Sequence, residues 1–300
     1  MQTKIHTAKS LLFGLAFFPC ILSGASLLLP AKGEAQEVEI AVGEVTDTRT
    51  TGEFFSGCEV NLKIEGGAVS DSLGIRATRL YLAVDDTGQN LLKDTNKASS
   101  FFDSSSEKKD TLEERIKLKN PSRNAKVIKS LEGELEIFQP TLENEGMVII
   151  EDFISHPSEP IASSTLDKWN VQVTYLTKES YILKKKEFEE GNKEELKKAA
   201  ERYGGAFSEM FDDLFEESLS DEKNTLQFYV KDPENRVIDL AFIDNMGNPV
   251  EVWHRSSMGE LRTYTFKKTI PPPDTKLVIY LATPDSIKIV PFKLQDIPLP

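Results

Sequence analysis

The residues best suited to do chemistry lie in two short stretches, VDDTGQN at 84–90 and IDNMGNP at 243–249, where acids, a glycine and an amide follow an apolar run. Asp85, Asp86 and Asp244 are hard oxygen donors, so calcium binding is the first chemistry to weigh. A calcium site takes about six to eight oxygens, and the D-x-[DN]-x-[DN]-G spacing of a helix-flanked calcium loop is absent from both. The competing reading is a turn. Asp bonds its own backbone and Gly supplies a positive φ, so D-x-x-G between two alternating runs is chemically sufficient without metal. Laid side by side, GIRATRLYLAVDDTGQNLL and ENRVIDLAFIDNMGNPVEVW share an arginine, an alternating run, an Asp, a glycine, an amide and a second apolar run. The spacing predicts one hairpin used twice. Asp85, Asp86 and Asp244 stand as calcium-loop candidates only if a neighbouring loop adds carboxylates.

Nucleophilic and redox chemistry find less to work with. The three histidines, His6, His156 and His254, form no cluster with Cys and acids at metal-ligand spacing. G-x-S-x-G, S-x-x-K with its partner motifs, glycine-rich phosphate loops and dinucleotide fingerprints are missing, and SDSLG and HRSSMG lack a strand-to-helix context. In VEVWHRSS, His254 follows Trp253, so alternation puts one inward and one outward, with Trp253 expected as a core anchor and His254 facing solvent. Carboxylate pairs for glycoside hydrolysis cannot be singled out among so many acids. The expectation is therefore no catalytic residue, no metal and no cofactor.

The chain opens with Lys4 and Lys9 ahead of an apolar run at 11–29, and small residues follow at Gly33 and Ala35. This reads as a secretory signal cleaved after Ala35, with an uncleaved membrane anchor as the alternative. Pro19 before Cys20 does not fit a lipid-attachment box. Removal of Lys4, Lys9, Lys32 and Glu34 takes the 36 basic and 49 acidic residues to 33 and 48. So acidic a surface repels phosphate backbones, which excludes nucleic acid as an expected partner. Cys58 is then the sole cysteine of an exported chain, so no internal disulfide staples the fold. It is expected as a small buried residue in a strand.

These residues need elements to position them. Runs of four to eight residues rich in Val, Ile, Tyr and Phe recur along most of the chain and read as strands: 37–42, 58–64, 78–84, 133–138, 147–154 and 170–176, then 225–230, 237–243, 250–255, 261–266, 276–282 and 287–292. Their spacing suits antiparallel sandwiches over alternating βαβ units. The polar stretch 94–114 reads as a long loop that Phe101 and Phe102 anchor. Between 181 and 219 the period becomes helical, with Asn192 as an N-cap and Glu195 its reciprocal acid. Leu196, Tyr203, Phe207, Met210, Phe211, Leu214 and Phe215 mark an apolar face expected to pack on a sandwich, with a kink at Gly204 and Gly205. Pro298 and Pro300 blunt the final strand. The resulting organisation is a signal at 1–35, a β-sandwich domain at 36–180, a helical segment at 181–223 and a C-terminal β-sandwich domain at 224–300.

The hairpins VDDTGQ and IDNMGNP in strand-rich halves resemble immunoglobulin-like or fibronectin-type modules of exported bacterial proteins. LKNPSRNAKVIKSLEGELEIFQP and the tail KLVIYLATPDSIKIVPFKLQDIPLP are similar to uncharacterised exported bacterial proteins that end on Phe-x-Leu-x-Asp-x-x-Leu-Pro. The resemblance implies a mainly β fold of two antiparallel, immunoglobulin-like sandwiches and a periplasmic or extracellular location. It brings no catalytic residues. The expected function is non-enzymatic binding of a protein or cell-envelope component, and the alternative is a carbohydrate-binding or carbohydrate-active protein. A membrane contact is expected only if the N-terminal segment stays uncleaved.

Overall fold

A computed structural model describes residues 38–50, 56–93, 110–193 and 224–300. In chain order the strands are β1 (Glu39–Thr48), β2 (Gly57–Glu65), β3 (Gly74–Asp85), β4 (Thr111–Leu118), β5 (Val127–Phe138), β6 (Met147–Ile150) and β7 (Gln172–Leu176). They continue as β8 (Thr225–Lys231), β9 (Val237–Ile243), β10 (Val252–Met258), β11 (Leu261–Phe266), β12 (Lys276–Leu281) and β13 (Ile287–Pro298). Among the described residues the helices α1 (Gly67–Ser70), α2 (Ser164–Lys168) and α3 (Lys178–Gly191) are short or peripheral.

Every strand pair is antiparallel, and the fold is mainly β without a closed barrel. Among the described residues four sheets form, in the orders β1-β2-β4, β13-β5-β3, β6-β12-β9 and β10-β11-β8-β7. The pairing runs across the sequence-expected boundaries. β13, last in the chain, pairs with β5 along its length, while β6 pairs with β12 and β7 with β8. Residues Gln36–Pro300 accordingly form one compact unit.

Period-two alternation explains the strands one by one. In β2, Cys58, Val60, Leu62 and Ile64 are all 0 % exposed, because successive side chains point to opposite faces and one face meets the core. The first core joins those residues to Leu112, Ile116 and Leu118 of β4, Ile128, Leu131, Leu135 and Ile137 of β5, and Phe292 and Ile297 of β13. A second core draws on β6, β9 and β12 from one sheet and β7, β8 and β11 from another. Phe153, Phe228, Phe242, Tyr264 and Phe266 form its aromatic centre, with ring centroids 5.2–6.2 Å apart and mostly tilted or edge-on.

β4 corrects part of the expected loop at 94–114. TLEERIKL alternates without a break, burying Leu112, Glu114, Ile116 and Leu118. The strand is disguised because its outward residues are Glu, Arg and Lys and one inward residue is Glu114, whose carboxylate accepts the Ala77 N–H at 2.8 Å. Phe101 and Phe102 lie outside the described residues, as do Cys20, Ala35 and the rest of the expected signal.

Within the expected helical segment the described residues hold α3, which starts at Lys178 and ends at Gly191. Thr177 caps its start by accepting the Ser180 N–H at 3.2 Å. Tyr181 is buried with Leu176, Met258, Leu261, Phe188 and Tyr229 in a third core, so the helix covers the face of β11 opposite the second core. Asn192, expected as an N-cap, serves here as the C-cap of α3, its side-chain amide donating to the Phe188 carbonyl at 2.8 Å. The apolar face from Leu196 to Phe215 lies outside the described residues. Gly259 lets α3 dock. Its φ is +56°, and a Cβ there would collide with the Phe188 ring.

Candidate functional site

The two Asp-Gly stretches form the same turn in unrelated sheets. Asp85 donates its N–H to the Gln89 carbonyl and Gly88 donates to the Asp85 carbonyl, and Asp244 repeats this with Asn248 and Gly247. Gly88 and Gly247 sit at φ of 86° and 87°, the left-handed region the turn requires. In each turn one Asp oxygen, Oδ1, accepts two backbone N–H groups: Thr87 and Gln89 at 2.9 Å in the first, Met246 and Asn248 at 2.9 and 2.8 Å in the second.

Their surroundings differ. Asp85 is 2 % exposed, and its Oδ2 accepts the Ser122 N–H at 2.8 Å, tying the hairpin to the β4–β5 connection. Burial by itself would raise the Asp85 pKa, but the donors from Ser122, Thr87 and Gln89 outweigh it and hold the carboxyl below its ordinary 3.8. Asp86 is exposed and accepts the Lys126 N–H. Asp244 is only partly covered; its pKa is lowered by the Asn248 side chain and by backbone N–H groups. The three calcium candidates are thus engaged by protein donors and are not brought together, because Asp85 and Asp86 close β3 while Asp244 follows β9. Among the described residues no group of three or more His, Cys, Asp or Glu is placed to hold a metal ion.

The other candidates disperse as well. His156 is exposed after a 3-10 turn at Phe153–Ser155, and His254 is exposed on β10. Cys58 is buried in β2, and burial, helped by Asp47, pushes its thiol up to about 11, so little thiolate forms at neutral pH. Trp253 corrects the sequence expectation. It is 70 % exposed rather than a core anchor. The β10–β11 register shifts between Val252 and His254, a bulge that inserts Trp253 as the extra residue and breaks the alternation on which the expectation rested.

The bulge borders a site that sequence reasoning did not find. β9 and β10 are each the outer strand of their sheet among the described residues. Between them lies a pocket of about 290 Å³ lined by Asp239, Arg255, Arg262 and Tyr264, with Ser256, Ser257, Val237 and Ile238 completing the wall. Register explains the assembly. Arg255 pairs with Tyr264 and Ser257 with Arg262, so all four share one face of β10–β11, the face on which Tyr264 and Phe266 enter the second core. Where that inner row reaches Arg262, apolar packing gives way to guanidinium.

Asp239 faces this row from β9 with its side chain 10 % exposed. Its Oδ1 accepts the Tyr264 O–H at 3.3 Å. Its Oδ2 is buried without a hydrogen bond and meets Arg255 Nε at 3.4 Å as an ion pair. Burial raises the Asp239 pKa above 3.8, and Arg255, the Leu240 N–H, Tyr264 and Arg262 oppose that rise. The Tyr264 hydroxyl is pushed well up by burial and then by the Asp239 charge, so it donates and does not ionise. The one signal in the sequence was a charge inside an apolar strand, VIDLAFI, which has no partner visible from spacing alone.

Comparison with protein families, with curated proteins and with solved structures finds no match to this chain. No helix of the described residues is long and apolar enough to cross a membrane.

Proposed function

We propose that this chain is an exported, non-enzymatic binding protein of two immunoglobulin-like β-sandwich modules, one around each large core, that takes a protein or cell-envelope partner along its β9–β10 edge. What carries this reading is that two outer strands of different sheets border one pocket, with exposed Trp253 beside them. An outer strand offers unpaired N–H and C=O groups, and such edges recruit extended polypeptide segments. β10 carries no Lys or Pro to blunt it, and Trp253 supplies the large, rigid contact area that interface hot spots use.

The test selects extended peptides from a display library against the purified chain starting at Gln36. Selected peptides should slow amide exchange of β10 residues, and Trp253→Lys should abolish their binding while leaving the melting curve unchanged. Protection confined to another strand, or binding indifferent to Trp253→Lys, sinks the proposal. The same Trp253 supports a second reading, a carbohydrate-binding module, because an exposed indole can stack on a sugar face. A glycan array read with wild type and Trp253→Ala separates the two.

A further inference from the structure

We draw no further inference here: the strongest candidate, the exposed apolar tip where the β9–β10 turn with Met246 and the β11–β12 connection with Ile270 are tied by Asn245 and Asp274, carries nothing, because Asp244, Glu251 and Asp274 offset Lys267 and Lys268 there and nothing in the structure shows what covers it.

Discussion

Truncating Asp85 to Ala, with Asp244→Ala as its matched control, isolates what burial adds to one turn. The carboxylate of Asp85 accepts four hydrogen bonds, from Thr87 N, Thr87 Oγ1, Gln89 N and Ser122 N, at 2.7–2.9 Å. Three of those donors are backbone N–H groups around a residue 2 % exposed, so water has little access to replace the lost acceptor. An unsatisfied buried donor costs about 1–3 kcal/mol, and neighbouring bonds are not additive, so the expected loss is about 3–5 kcal/mol. Asp244 accepts three bonds, from Met246 N, Asn248 N and Asn248 Nδ2. Its donors lie in an exposed stretch that water can reach, so a clearly smaller loss is expected there. Urea denaturation at neutral pH measures both, and for a chain of this size the Asp85 variant should lose on the order of 10 °C in Tm. Because the folded Asp85 pKa is lowered, its contribution is present above 3.8 and lost as pH falls through the folded value. The gap between wild type and Asp85→Ala should therefore close in acid. Equal losses in the two variants at pH 7, or a gap that persists in acid, would refute the argument that burial sets the value of this turn.

Other outcomes follow from particular contacts. Gly259→Ala forces a side chain into positive φ and against Phe188, and should cost about 1–3 kcal/mol in denaturant unfolding; an unchanged midpoint would mean α3 docks differently. The raised Asp239 pKa works in the opposite direction to Asp85: its stabilisation is full below the ordinary 3.8 and lost as pH rises through the folded value, so wild type should lose stability relative to Asp239→Asn across that window. A pH-independent difference between the two would contradict this. Chelator should leave the melting temperature unchanged, because protein donors already engage Asp85, Asp86 and Asp244. A bound ion at a hundred times its dissociation constant would add about 2.7 kcal/mol, which a melt would reveal.

How much could be read from the sequence follows from how far each signal reaches along the chain. Alternation is a local property, so β2 and β8–β9 stand out from Cys58–Ile64, TLQFYV and VIDLAFI before any partner is known. β4 escaped because its outward Glu113, Arg115 and Lys117 made a regular alternation look like solvated chain. The Asp-x-x-Gly turns were legible for the same local reason, since Asp and Gly carry the turn in their own side-chain and backbone chemistry. Trp253 was misplaced because a bulge is set by the register with β11, and one inserted residue reverses the face of everything read from one strand alone.

The sequence by itself determined the mainly β character, the alternation of strands such as β2, β8 and β9, the repeated hairpin and the acidic balance of charge. Each depends on residues within a few positions of one another, or on simple summation. Tertiary structure alone decided that β13 returns to β5, that β6 joins β12, that Asp85 is buried against Ser122 while Asp244 stays half open, and that Asp239 meets Arg255 and Tyr264. Those outcomes depend on which backbone N–H and C=O groups find each other across long stretches of chain, and on where the inner face of a sheet runs out of apolar side chains. No spacing along a single strand encodes either of them.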